Sequence, residues 1–458
     1  MAFIQGIRFL IVAYCLSLVG CSRQAEITTN SIPVLPEQAK SDLDLPNRPW
    51  LPEPLPLPGK LDQVPKEEKI TLSKAVEKTI EYSPIVKVAF LEIEARRNEE
   101  AQASYRPNPD VSFTLENYGA KPSSDQEPEN TLEITQVIEL GNKRLARLRA
   151  AHLESSVAGW DFEAIRLSVA ARAADMFVDV LASQKRIDVL ENFTKIAKKS
   201  RDAIETQVKG GKASPIDLDR ADIALSRAMA LEEAEKVKLV ALKKALSAMW
   251  GSNGQEKIGQ AMGTFDGPLL VPSLSNLRQL LEKNPSLARW GDEIARRNAQ
   301  LDLEQSKAVP NVTAGVGVRQ FSWTDTAGVV ASISVPLQIF DKNQGNIAAA
   351  EKRLQRSEFE ASSAQNELTT VLIEILGELS VSVTQLKRLE DGILPSARSA
   401  YERTRIGYTQ GRFDVLFLLD SQRTLLEAEL DTVNARASYT KSKVKIEMLV
   451  GEKLSSLQ

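Results

Sequence analysis

From about Thr71 to Tyr105 apolar side chains recur at helical spacing, with a break at Ser83-Pro84. The period then changes. Val111, Phe113 and Leu115 alternate with Ser112, Thr114 and Glu116, so one extended segment carries two chemically different faces. A polar loop from Tyr118 to Asn130, holding Gly119, Pro122 and Pro128, leads to a second alternating stretch, Leu132 and Ile134 against Glu133 and Thr135. This pattern predicts a β-hairpin. Beyond it a helical pattern runs for roughly 65 residues, about 100 Å at 1.5 Å per residue, which outruns any compact domain. It stops at Val208-Lys209-Gly210-Gly211-Lys212, where glycine supplies the left-handed geometry that closes a helical hairpin. The return helix is expected from about Pro215 to Trp250.

The same succession recurs at an offset of about 200 residues, the mark of a tandem duplication. Ser83-Pro84 answers to Asn284-Pro285, Ala95-Arg96-Arg97-Asn98 to Ala295-Arg296-Arg297-Asn298, and Pro107-Asn108 to Pro310-Asn311. Leu140-Gly141-Asn142-Lys143 answers to Phe340-Asp341-Lys342-Asn343, and Gly211-Lys212 to Gly411-Arg412. In the second hairpin Val312, Ala314, Val316 and Val318 alternate with Thr313, Gly315, Gly317 and Arg319. The return strand carries Val329, Ala331, Ile333 and Val335 until Pro336 stops it. The second long helix is predicted to turn at Tyr408-Thr409-Gln410-Gly411-Arg412 and to return from about Asp414 to Val450. Small residues such as Ala170, Ala171, Ala173 and Ala174 predict close, coiled-coil-like helix packing. Repeat boundaries are expected at 67–260 and 261–458.

Four amphipathic strands of roughly ten residues match the length that crosses a bilayer when tilted. Four strands cannot close, and open edges in hydrocarbon leave N–H and C=O groups unpaired at several kcal/mol each. Copies must therefore pool their strands; strand counting allows a dimer with eight or a trimer with twelve. The competing reading is a water-soluble hairpin lying on the helices. It would bury the apolar faces within the chain.

Composition and the chain ends narrow the setting. Residues 1–20 read as a signal peptide, with Arg8 before an apolar run too short for a permanent membrane helix. Leu18-Val19-Gly20-Cys21 has the form of a lipobox, so Cys21 is expected to be acylated and to begin the mature chain, with Ser22 favouring outer-membrane sorting. Both cysteines, Cys15 and Cys21, lie in this leader, which excludes a disulfide or thiolate metal site from the remainder. Residues 21–66 form a proline-rich segment expected to be extended. Acidic and basic residues nearly cancel, leaving a net charge of -3 and no basic stripe, so no nucleic-acid partner is expected.

The local words resemble those of the TolC-type outer-membrane factor family over about residues 70–450, and within it the CzcC-like heavy-metal efflux branch. They are Thr135-Gln136-Val137-Ile138-Glu139-Leu140-Gly141-Asn142-Lys143-Arg144, the stretch from Ser334 to Ile347 with Asn343-Gln344-Gly345, Glu116-Asn117-Tyr118-Gly119, and Gly411-Arg412-Phe413-Asp414-Val415-Leu416. Asn142 stands where the family usually has a second glycine. The resemblance implies a mainly α chain with a transmembrane β-barrel: long helical hairpins forming a periplasmic α-barrel, and four β-strands per chain giving a 12-stranded barrel in a homotrimer. It further implies a passive exit duct for divalent heavy-metal cations in the outer-membrane lipid, docked by a periplasmic adaptor (membrane fusion protein) and an inner-membrane RND-type pump. A drug or protein export channel of the same fold, and a periplasmic coiled-coil adaptor or scaffold lipoprotein, are the rivals.

No catalytic constellation is present, and neither a cofactor nor a metal site is expected. The single histidine, His152, has no acid or nucleophile near it in sequence, and Met176, Met229, Met249, Met262 and Met448 are scattered. Lys143, Arg144 and Asp341-Lys342 are expected to serve turns at the strand-to-helix junctions. Gly210, Gly211, Gly411 and Arg412 at the helical tips are the candidate adaptor-docking residues, because a tip farthest from the membrane has nothing of its own protomer left to touch. Asp414 and Asp420 are candidates for a carboxylate gate.

Overall fold

The computed structural model describes residues 68–119, 127–251, 258–265 and 267–454. The expected signal peptide, Cys15, Cys21, the proline-rich segment and part of the first hairpin loop lie outside the described residues. The chain runs β1 (Glu68–Thr71), α1 (Leu72–Tyr82), α2 (Pro84–Ala103), β2 (Asp110–Glu116), β3 (Glu129–Ile138), α3 (Lys143–Lys209) and α4 (Pro215–Ala248). Then follow β4 (Ile258–Met262), α5 (Leu274–Leu281), α6 (Pro285–Lys307), β5 (Val312–Phe321), β6 (Thr326–Ser334), α7 (Gln344–Arg388), a π-helical segment (Leu389–Ile393), α8 (Leu394–Thr409) and α9 (Val415–Val450). The order of the first half recurs in the second.

Local chemistry sets the helix ends. Thr71 caps α1 by accepting from the Lys74 amide, and Pro84 and Pro285 start α2 and α6, where a missing N–H costs no hydrogen bond. Asn284 caps α6 by accepting from Ser286 N at 2.8 Å and donates to Leu449 O at 2.7 Å, tying the helix start to α9. Both long helices begin behind an asparagine in left-handed conformation, Asn142 (φ 57°) and Asn343 (φ 61°). Asparagine tolerates that region better than most residues, so Asn142 takes up the left-handed geometry that a glycine would supply there.

The first long helix, α3, is unbroken over 67 residues. Its counterpart was expected to be equally continuous and is not. Pro395 lacks the N–H that would bond back to Asp391, and its ring crowds that carbonyl. The chain responds with one wide turn in which Leu394 donates to Leu389 O, five residues back.

Two sheets form. The larger is antiparallel, in the order β2-β3-β5-β6, and its centre joins the halves: β3 and β5 pair from Glu129↔Phe321 to Ile138↔Val312. Cross-strand partners share a face, so Val111, Ile134, Val316 and Ala331 form one apolar row, and Phe113, Leu132, Val318 and Val329 the next. These rows lie in the open, with Val329 at 81% exposure. A hairpin resting on the helices would cover them, so that reading fails. The smaller sheet, a parallel β1–β4 pair, was not foreseen.

The core is a string of clusters along the helices. Leu372, Leu379 and Leu386, seven residues apart and fully buried, form a heptad seam against Ile446, Leu277 and Leu281. Phe177, Val180, Leu246 and Trp250 pack with Ile70 and Ile258 around the small sheet. Ala170, Ala173 and Ala174 are buried, as close packing of α3 requires. Among the described residues no helix is long and apolar enough to cross a membrane.

Candidate functional site: the helical tips and the strand sheet

The two tips have the same backbone. In the first, Gly210, Gly211 and Lys212 donate to Thr206 O, Val208 O and Gln207 O at 3.1, 3.0 and 2.8 Å. In the second, Gln410, Gly411 and Arg412 donate to Ile406 O, Tyr408 O and Gly407 O at 3.1, 3.0 and 2.8 Å. Each is a Schellman closure, which satisfies the last carbonyls of a helix through one left-handed residue. That residue is Gly211 (φ 70°) or Gly411 (φ 71°), and a Cβ on either would meet no atom within 4 Å. Glycine is there for its backbone alone. Gly210 is different: its φ of -83° matches the -88° of Gln410, so its place does not require glycine.

The chemistry around this shared backbone differs. The first tip continues through Ala213 and Ser214, whose hydroxyl forms a capping box with Asp217. At the second, Asp414 caps α9 by accepting from Phe417 N at 3.1 Å. Phe413, Leu416 and Phe417 stand exposed beside it, the two rings 5.8 Å apart. Gly407 was missed in the sequence: a Cβ there would fall 2.3 Å from the Phe413 ring. Asp420 is exposed and pairs with Arg423 of its own helix at 2.9 Å. The tips lie side by side, so the expectation that a tip has nothing of its own protomer to touch is wrong: each packs on the other. Tyr408 donates to Gln207 Oε1 at 2.9 Å, Gln422 to Ser200 Oγ at 2.6 Å, and Ile204, Tyr401, Val415 and Leu418 form the core between them. Burial, helped by Asp217, pushes the Tyr408 hydroxyl above its usual range.

At the sheet-to-helix junctions the expected turn roles are joined by contacts between halves. The Lys143 ammonium bonds Val309 O and Asn311 Oδ1, and burial lowers its pKa against the pull of Glu139. Glu139 accepts from Arg147 at 2.7 Å, which holds the carboxyl below its ordinary range. Asp341 accepts from Asn343 N at 2.8 Å. His152 gains the acid partner that sequence proximity did not reveal: Glu100, buried on α2, lies 2.8 Å from its Nδ1. One imidazole and one carboxylate do not hold a metal, and among the described residues no cluster of three ligands occurs. The polar face of the sheet carries Asp110, Glu116, Glu129 and Glu133 against one cation, Arg319, which pairs with Glu129 at 2.7 Å.

An amphipathic sheet with its apolar face uncovered and both edge strands unpaired, continuous with helical hairpins about 100 Å long, defines one segment of a membrane channel with a helical extension. The chain belongs to the outer membrane efflux protein family, whose sequence model matches residues 75–252 and 276–452. It is 27% identical over 429 residues to the cobalt-zinc-cadmium resistance protein CzcC of Cupriavidus metallidurans, covering 93% of this chain and 94% of that one. It is 25% identical to the nickel-cobalt-cadmium resistance protein NccC of Alcaligenes xylosoxydans xylosoxydans, over 69% and 70% of the two chains. Among solved structures, CusC superposes with a TM-score of 0.70 over 89% of this chain and 98% of that one, at 15% identity. VceC of Vibrio cholerae gives 0.67 over 84% and 96%, at 17%. The protein is a passive outer-membrane efflux channel and not an enzyme. The family works as trimers within tripartite pumps, and three copies of the sheet supply the twelve strands that close the barrel.

Proposed function

We propose that this channel is the exit duct for divalent heavy-metal cations, docked by a periplasmic adaptor and fed by an RND-type inner-membrane pump. The observation that carries this reading is similarity over nearly the full length of both chains to a cobalt-zinc-cadmium resistance protein. The acidic polar face of the strands agrees with a cationic cargo, because a carboxylate-lined passage raises the local concentration of cations. Selectivity itself resides in the pump and adaptor, and ions cross the duct hydrated.

Adaptor docking falls to the tips at Gly210, Gly211, Gly411 and Arg412, with Asp414 and Asp420 narrowing the closed end. Support comes from the shared Schellman backbone and from the exposure of both tips. Both gate candidates are exposed and have partners on their own helix, Asp414 as its cap and Asp420 with Arg423. Acylation at Cys21 anchors the chain, and repeats at 67–260 and 261–458 divide it.

The cargo is tested by complementing a strain that lacks its metal efflux channel and measuring growth inhibition by cobalt, zinc, cadmium and a panel of drugs. Restored metal resistance with unchanged drug sensitivity is expected; restored drug resistance alone would reverse the assignment. Mass spectrometry of the mature amino terminus tests the anchor, and an unmodified terminus rejects it.

A further inference from the structure

The barrel fixes which helices of two copies are neighbours. Its sheet ends in β2 on one side and β6 on the other, so closure pairs β6 of one copy with β2 of the next, a head-to-tail contact that runs round the ring. Within a chain the helices below pack in the order α2, α3, α6, α7 and, nearer the tips, α4, α3, α9, α8. α4 lies on the α2 side of α3, since Met249 at its end joins the cluster of Val86 and Phe162. One copy therefore ends in α4 where its neighbour ends in α7 and α8.

The two return helices are held differently. α9 is sandwiched between α3 and the α7–α8 arm, whereas α4 leans chiefly on α3. The residues of α9 that meet α3 are Asn434, bonded by Arg186 at 3.1 Å, Ala437, packed with Val178 and Ala182, and Lys441, paired with Asp179 at 2.7 Å and Asp175 at 3.2 Å. Counted from the N-caps Ser214 and Asp414, their counterparts on α4 are Ala234, Val237 and Ala241. All three are exposed, Val237 by 67%.

The receiving side repeats too. Phe177 and Leu181 of α3 cluster with Leu246 and Trp250 as Leu379 and Val383 of α7 do with Ile446 and Val450, and in that register Asp175, Asp179 and Ala182 answer to Gly377, Val381 and Thr384. These are exposed as well, Val381 by 56%. The chemistry has changed on both sides together. Where the seam within a chain sets Lys441 against two aspartates, the open faces offer Ala241 against Gly377 and Val381, so joining them strands no charge. We infer that Ala234, Val237 and Ala241 of α4 pack on Gly377, Val381 and Thr384 of the neighbouring copy's α7. This seam between copies reproduces the α9–α3 contact with its ion pair exchanged for apolar side chains, and it depends on the trimer but on neither the cargo nor the adaptor.

Cysteine pairs test it in the full chain, whose own cysteines are Cys15 and Cys21. Val237→Cys combined with Thr384→Cys is expected to give covalent dimers and trimers when membranes from cells lacking the adaptor are mildly oxidised. Within one copy α3 and α9 stand between these positions, so only a neighbour can bring the thiols within disulfide reach. Val240→Cys with Thr384→Cys, the first thiol exposed on another face of α4, should give none. No covalent product in membranes that hold the assembled trimer, or equal yields from both pairs, would overturn the seam. A charge exchange gives an independent reading. Ala241→Lys should lower trimer yield severalfold by setting a cation against apolar residues, and Val381→Asp in the same chain should restore it, because Asp179 holds Lys441 at the corresponding place. An unchanged yield with Ala241→Lys, or a fall that Val381→Asp does not reverse, counts against the proposal.

Discussion

Positions 93 and 293 occupy the same place in the two halves, yet one is isoleucine and the other glutamate. Ile93 is 4% exposed in an apolar cluster with Phe162 and Val169. Glu293, 5% exposed, is held instead by Arg296 and Arg297 at 2.8 Å. The same divergence recurs at the ends: the second tip and the second junction are apolar where the first are polar. Duplication kept what the backbone demands, the left-handed Asn142 and Asn343 and Gly211 and Gly411. It let side chains part at positions such as 93 and 293, where the helical backbone accepts either residue.

Substitutions at paired positions sharpen this contrast, and the melting temperature of the detergent-solubilised trimer reads them. Ile93→Ala should be the most damaging, at about 2–5 kcal/mol, because it leaves a cavity in a closed cluster. Its effect should be the same at neutral and acid pH, and pH dependence would refute the apolar account of that half.

Glu293→Gln should cost about 1.5–3 kcal/mol at neutral pH, the worth of hydrogen bonds to a charged group. Burial works against its carboxylate, but Arg296 and Arg297 outweigh it, so the folded pKa lies below the usual 4.5. A depressed pKa contributes stability that is complete above the unfolded value and fades as pH falls through the folded one. Wild type should therefore lose stability in acid, and Glu293→Gln should lose less; parallel pH curves would sink the ion-pair account.

Gly411→Val should cost about 1–2 kcal/mol through its left-handed backbone, disturbing adaptor cross-linking and metal resistance while the membrane trimer persists. Gly211→Val should match it. Full resistance with undiminished cross-linking would remove Gly411 from the docking site. Gly210→Ala should change stability by no more than about 1 kcal/mol, and toward greater stability, since its φ suits any residue. A loss as large as that of Gly411→Val would break the distinction between the two glycines.

Much of this protein follows from sequence because its signals are local. A period of two or of about 3.6 residues is written within each segment, so the strands, the long helices and the tips could be placed from side-chain chemistry alone. Barrel formation follows as well, since four amphipathic strands with open edges must find further strands in other copies. The break at Pro395 was not read from the sequence, because whether a proline kinks, stops or widens a helix into a π turn depends on what packs around it.

What the tertiary structure alone decided are the meetings of distant residues. The parallel pairing of β1 with β4 joins two short strands that carry too few alternations to be seen. His152 finds Glu100 only because α2 lies along α3, and Gly407 is required only because the turn folds Phe413 back over it. The sequence by itself determined two halves of one pattern; contact across them, which no local period encodes, decided that Lys143 would clip β3's end to the start of β5 and that the tips would close as a pair.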